Sequence, residues 1–125
     1  MRKAIYQYLT NNCQISDWYQ PNTATASTSK PYGVIQFAEE VLNPTNRRTS
    51  FQDITLWIYR PEGKCDLLDG DVADIRGLFG GERLLTTAGG KRFFLVWQQT
   101  SRDFYDEDLK AVAKRIDFTI PKGGR

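Results

Sequence analysis

Thr49 to Phe79 limits most what this chain can fold into, because it reads as a strand, a tight turn and a helix in immediate succession. Ile54, Leu56 and Ile58 alternate with Thr55, Trp57 and Tyr59, the period of two that marks a strand with two distinct faces. Both faces carry apolar or aromatic side chains, so neither is expected to be fully solvated. Pro61-Glu62-Gly63 then breaks the strand, since proline fixes φ and donates no hydrogen bond. Leu68, Val72, Ile75 and Phe79 follow at spacings of four, three and four, one stripe of an α-helix. Asp66 and Asp69 stand near its start, where carboxylates cap orphan amides and favour the positive end of the dipole. Gly80-Gly81 is the expected stop, by way of a left-handed C′ residue.

The rest of the chain arranges itself around this unit. Met1 to Asn12 reads as a first helix with Ala4, Ile5, Tyr8 and Leu9 on one face. Residues 13–30 read as a long loop, with Pro21-Asn22 and a Thr/Ser/Ala run inside it. Tyr32 to Ala38 has a strand's composition, and the loop Asn43 to Arg48 joins it to the central strand as an antiparallel pair. Arg83 to Thr87 and Arg92 to Gln98 flank Ala88-Gly89-Gly90, the best hairpin signal in the chain, and the second of these strands is apolar enough to be central. Thr100 to Asp108 reads as an acidic loop. Leu109, Val112, Ala113 and Ile116 would make one helical face, whereas Val112, Ile116, Phe118 and Ile120 fall on one face of a strand. Ile116 to Ile120 reads as strand, and Leu109 to Arg115 is read as strand with a helix as the alternative. Residues 121–125 read as a flexible C-terminal tail.

A chain of 125 residues is most simply one domain, 1–125. Clustered strands with non-alternating helices predict an α+β fold: a four- to five-stranded, mostly antiparallel (mixed) sheet with two α-helices packed on one face. No run of about 18 apolar residues is present, so no membrane partner is expected. The basic start Met1-Arg2-Lys3 is not followed by the apolar stretch of a signal peptide, which places the chain in the cytoplasm.

Chemistry is sparse in this sequence. It contains no histidine, which removes the commonest general base and metal ligand. Cys13 and Cys65, without a histidine to activate them or a metal-binding spacing, read as two reduced thiols. Asp66, Asp69, Asp71 and Asp74 lack the ligand spacing of a calcium loop and read as helix capping and a solvated outer face. Asp103, Asp106, Glu107 and Asp108 read as a solvated loop. Glu39 and Glu40 are neighbours on a strand and point to opposite faces, so they cannot share an acid–base site. The expectation is a protein that is not an enzyme, with no catalytic residues, no metal and no cofactor. Arg47-Arg48, Lys91-Arg92 and Lys114-Arg115, together with Trp57, Tyr59, Phe93 and Trp97, leave open a single-stranded nucleic-acid-binding domain that uses basic loops and sheet aromatics. A net charge of only +2 argues instead for protein partners.

The order of features resembles the small tail-completion or tail-terminator (head–tail joining) proteins of long-tailed bacteriophages. The likeness is carried by the helix Met1 to Asn12, by Pro31-Tyr32-Gly33-Val34-Ile35, and by Phe51 to Tyr59. The helix through Val72 to Phe79 and the segments Asp106-Glu107-Asp108-Leu109 and Ile116 to Ile120 complete it. This resemblance implies a structural subunit that closes into a ring, commonly a hexamer of itself, assembled in the host cytoplasm and ending in the virion neck. Its further partners would be the tail tube protein and the head connector or stopper protein, with DNA only passing through the ring. Candidate interface residues are Asn43, Thr45, Arg47 and Arg48 in the loop, Trp57 and Tyr59 on the strand, and Lys122 and Arg125 in the tail.

Overall fold

A computed structural model describes residues 2–13, 15, 17–19, 31–42, 49–80, 84–87, 89–108 and 110–123, with the backbone alone described for 2, 39–42, 49–51 and 122–123. The elements are α1 (Arg2–Asn12), β1 (Trp18–Tyr19), β2 (Tyr32–Leu42), β3 (Thr49–Pro61), α2 (Cys65–Phe79), β4 (Leu85–Thr86), β5 (Arg92–Phe93), β6 (Val96–Thr100), β7 (Phe104–Asp106) and β8 (Ala111–Gly123). The fold is α+β, with two helices and a mixed sheet of six strands in the order β1-β2-β3-β8-β6, β7 pairing with β8 as well. Among the described strand pairs only β1–β2 is parallel; β4 and β5 form a separate antiparallel hairpin.

Register explains the core. Ile35 pairs with Leu56 and Leu56 with Ile116, while Phe37 pairs with Ile54 and Ile54 with Phe118. Because side chains alternate across a strand, these rows all fall on one face. Ile54, Leu56, Ile58, Ile116, Phe118 and Ile120 are buried there against Leu68, Val72, Ile75 and Phe79 of α2, the helical stripe read from the sequence. Ile5 and Leu9 of α1 join the same core, and the Tyr8 hydroxyl donates to the Leu78 carbonyl at 2.8 Å, tying α1 to α2. At the sheet's edge the Trp18 indole donates to the Ile15 carbonyl and covers Gly33, where a Cβ would overlap its ring.

Several details depart from expectation. The apolar run 92–98 is not one central strand. Phe93 and Leu95 bury in the core, and β6 forms an edge beyond β8. The central strands are β3 and β8, both thirteen residues long. β8 pairs with β3 as far as Gly123, past the expected end of order at Pro121. Two- and three-residue strands, β1 and β7, lie inside segments that read as loops, because so short a strand shows no period. The helix ends at the expected glycines: Gly80 is its C-cap, with extended φ −67° and ψ 158°, and Gly81, the C′ position, lies outside the described residues. At the hairpin, by contrast, Gly90 has the positive φ of 82° that the turn needs.

The acids of α2 are not a uniform solvated face. Asp71 is buried and accepts two hydrogen bonds from Arg60, at 2.6 Å to Nε and 2.7 Å to Nη2. Arg60 shares the parity of Ile54, Leu56 and Ile58, so it points to the helix side and clamps the end of β3 to α2. Asp69 accepts from Lys114 of β8 at 2.5 Å. The N-cap position is Lys64, which makes no side-chain cap bond, so Asp69 serves the sheet rather than the helix terminus.

Candidate functional site

The odd-numbered side chains of β3 point away from α2, and there the sheet carries a different chemistry. Trp57 and Tyr59 lie half-buried on this open face. Tyr32 pairs with Tyr59 across the β2–β3 ladder, and their rings stack with centroids 4.8 Å apart. Tyr19 meets the other side of Tyr32 edge-on at 5.7 Å, Trp57 lies 6.5 Å from Tyr59, and Phe104 of β7 lies 5.9 Å from Trp57. An aromatic band thus crosses β1, β2, β3 and β7, held by backbone register rather than by sequence proximity. Tyr32 is fully buried and its hydroxyl has no hydrogen-bond partner among the described residues. Burial, followed by Tyr59 and Asp106, pushes its pKa up to about 12. Burial and then Asp106 raise Tyr59 as well, so the band is uncharged around neutral pH.

Two depressions flank Trp57. One is a groove of about 710 Å³ floored by a polar ladder. Asp117 accepts from Thr55 Oγ1 at 3.1 Å and from Gln99 Nε2 at 2.8 Å, and Arg115 Nε lies 3.3 Å away without hydrogen-bond geometry. Thr119 Oγ1 donates to Asp53 at 2.9 Å. These carboxylates are engaged as acceptors across strands, the arrangement of a satisfied sheet surface rather than of a reacting pair. The other is a dish of about 650 Å³ walled by Trp57, Tyr59, Phe104 and Tyr105 and rimmed by Asp106 and Glu107. The Tyr105 hydroxyl donates to Glu62 at 3.0 Å, which adds a third carboxylate beside it.

Of the residues singled out from the sequence, Trp57 and Tyr59 are brought together here. Asn43, Thr45, Arg47, Arg48 and Arg125 lie outside the described residues, and Lys122 is described only by its backbone, paired with Ser50. The aromatics of the nucleic-acid alternative do not share a face. Phe93 is buried in the core, and Trp97 lies under the Arg76 guanidinium of α2 at 3.8 Å. Its basic residues are dispersed: Lys114 is tied to Asp69 and Asp103 on the helix side, and Arg115 is held beside Asp117. Tyr19, Tyr32, Phe104 and Tyr105 were missed as site residues. The one available signal was the pair Phe104-Tyr105 inside an otherwise acidic stretch.

Among the described residues no cluster of three His, Cys, Asp or Glu side chains is placed to hold a metal ion, and both cysteines are free. No described helix is long and apolar enough to cross a membrane. No protein-family model matches the chain, and no curated protein matches it.

Proposed function

We propose that this chain is a structural subunit that closes into a homo-oligomeric ring at a phage head–tail junction. There it ends the tail tube and joins it to the head connector or stopper protein, with DNA passing through unread. The observation that carries this reading is the aromatic band with its dish on the open sheet face: large, half-buried rings beside a polar rim are the composition of an association surface. The resemblance set out above supplies the place of assembly, and a heterologous interface repeated around an axis supplies the closure.

The nucleic-acid reading is weaker for an electrostatic reason. Among the described residues, the two depressions beside Trp57 are lined by Asp53, Asp106, Glu107 and Asp117 against Arg115 alone. Such a surface repels a phosphate backbone instead of releasing its counterions. The deciding experiment is solution mass by light scattering coupled to size exclusion over a range of concentrations, with negative-stain imaging. A mass near six subunits with visible rings is expected. A monomer at every concentration, with oligonucleotide affinity falling steeply as salt rises, overturns the proposal.

A further inference from the structure

The dish beside Trp57 has the composition of a cation receptor. Its walls are the rings of Trp57, Tyr59, Phe104 and Tyr105, and carboxylates stand at its rim. Aromatic faces attract guanidinium and ammonium groups through their quadrupole, more strongly when the site is partly desolvated. The chain's own arginines already follow this preference, with the Arg115 guanidinium 5.8 Å from the Trp57 ring and that of Arg102 5.8 Å from Phe104. Among the described residues no lysine or arginine lines the dish itself.

The same molecule carries a matching group elsewhere. Lys91 and Arg92 are both exposed, beside the Gly90 turn of the β4–β5 hairpin, and neither forms an ion pair with a described residue. The turn is internally braced, since Thr87 N–H donates to the Lys91 carbonyl at 2.8 Å and Lys91 N–H to Thr87 Oγ1 at 3.1 Å. Leu85 and Phe93 anchor this hairpin in the core beside α1, on the helix side of the sheet, whereas the dish opens on the other face. The two complementary patches therefore face opposite ways and cannot satisfy each other within one chain.

Resting on the ring reading, we infer that the basic hairpin tip Lys91-Arg92 of one subunit seats in the aromatic, acid-rimmed dish of the next. Front-to-back contact of this kind is heterologous: each subunit gives one patch and receives the other, and the repeat closes as a ring. The cation stacks on Trp57 and Phe104 while Asp106 and Glu107 neutralise it, so the contact supplies orientation and specificity as well as attraction.

The test uses two double variants of the full chain, Asp106→Asn with Glu107→Gln in the dish and Lys91→Glu with Arg92→Glu at the tip. Each alone is expected to raise the concentration at which subunits assemble by about a hundredfold, the scale of losing charged contacts at an interface centre. Mixed together they are expected to form a 1:1 dimer that grows no further, because that pair retains one intact tip and one intact dish. If the dish pair does not fold, Glu107→Gln alone replaces it. Wild-type rings with both variants assembling equally well overturn this contact and leave the ring reading standing. A wild type that stays monomeric at every concentration overturns this contact, and if its oligonucleotide affinity also falls steeply as salt rises it overturns the ring reading as well.

Discussion

The two faces of the central sheet are built from the same strands and have opposite characters. On the helix side, Ile54, Leu56, Ile58, Ile116, Phe118 and Ile120 are dry, and the buried charges there, Arg60 and Asp71, satisfy each other. On the open side, alternate residues of the same strands are rings, hydroxyls and carboxylates in a lateral network. Stability is concentrated on the first face, and the proposed association surface lies on the second. A period-two strand can separate the two tasks residue by residue.

The sharpest way to break this division is at the buried pair. Asp71→Ala leaves the Arg60 guanidinium buried and unpaired, which is expected to cost about 3–5 kcal/mol in urea unfolding. Replacing both partners, Arg60→Met with Asp71→Leu, should return most of that loss, because neither charge then needs a partner. A small effect of Asp71→Ala would show that α2 is held by apolar packing alone.

Neighbouring residues on β3 give the next test. Leu56→Ala opens a cavity in a closed core and is expected to cost about 2–5 kcal/mol. Trp57→Ala removes a larger side chain but from the half-buried open face, and should cost less stability while weakening assembly more. Equal stability losses, or assembly indifferent to Trp57, would contradict the division of labour between the faces.

The smallest expected effect sharpens the description of the open face. The Tyr32 hydroxyl is buried without a hydrogen-bond partner among the described residues, so Tyr32→Phe is expected to change stability by no more than about 1 kcal/mol near neutral pH. The sign of its pH dependence follows from a pKa raised from 10.0 to about 12. The phenol's contribution is fully present below pH 10 and is lost as pH rises through about 12, since the unfolded chain ionises first. Denaturant midpoints measured across that window should fall less steeply in the phenylalanine variant than in the wild type.

What the sequence determined alone was everything with a local period. The strand Thr49–Pro61, the stripe Leu68, Val72, Ile75 and Phe79, the hairpin at Gly90 and the buried face of β8 were legible because alternation and helical spacing are properties of neighbouring residues. Tertiary structure decided what depends on distant partners. Asp71 stands three residues after Leu68 and four before Ile75, on the buried stripe of α2, whereas Asp66, Asp69 and Asp74 are exposed; only Arg60 arriving from β3 gives a carboxylate at that position its partner. β1 and β7 are strands only because β2 and β8 offer them hydrogen bonds. Tyr19, Tyr32, Tyr59, Trp57 and Phe104 become one aromatic band only through sheet register, which aligns residues far apart in the chain. Periodicity assigns a side chain to a face; long-range pairing determines what that face meets.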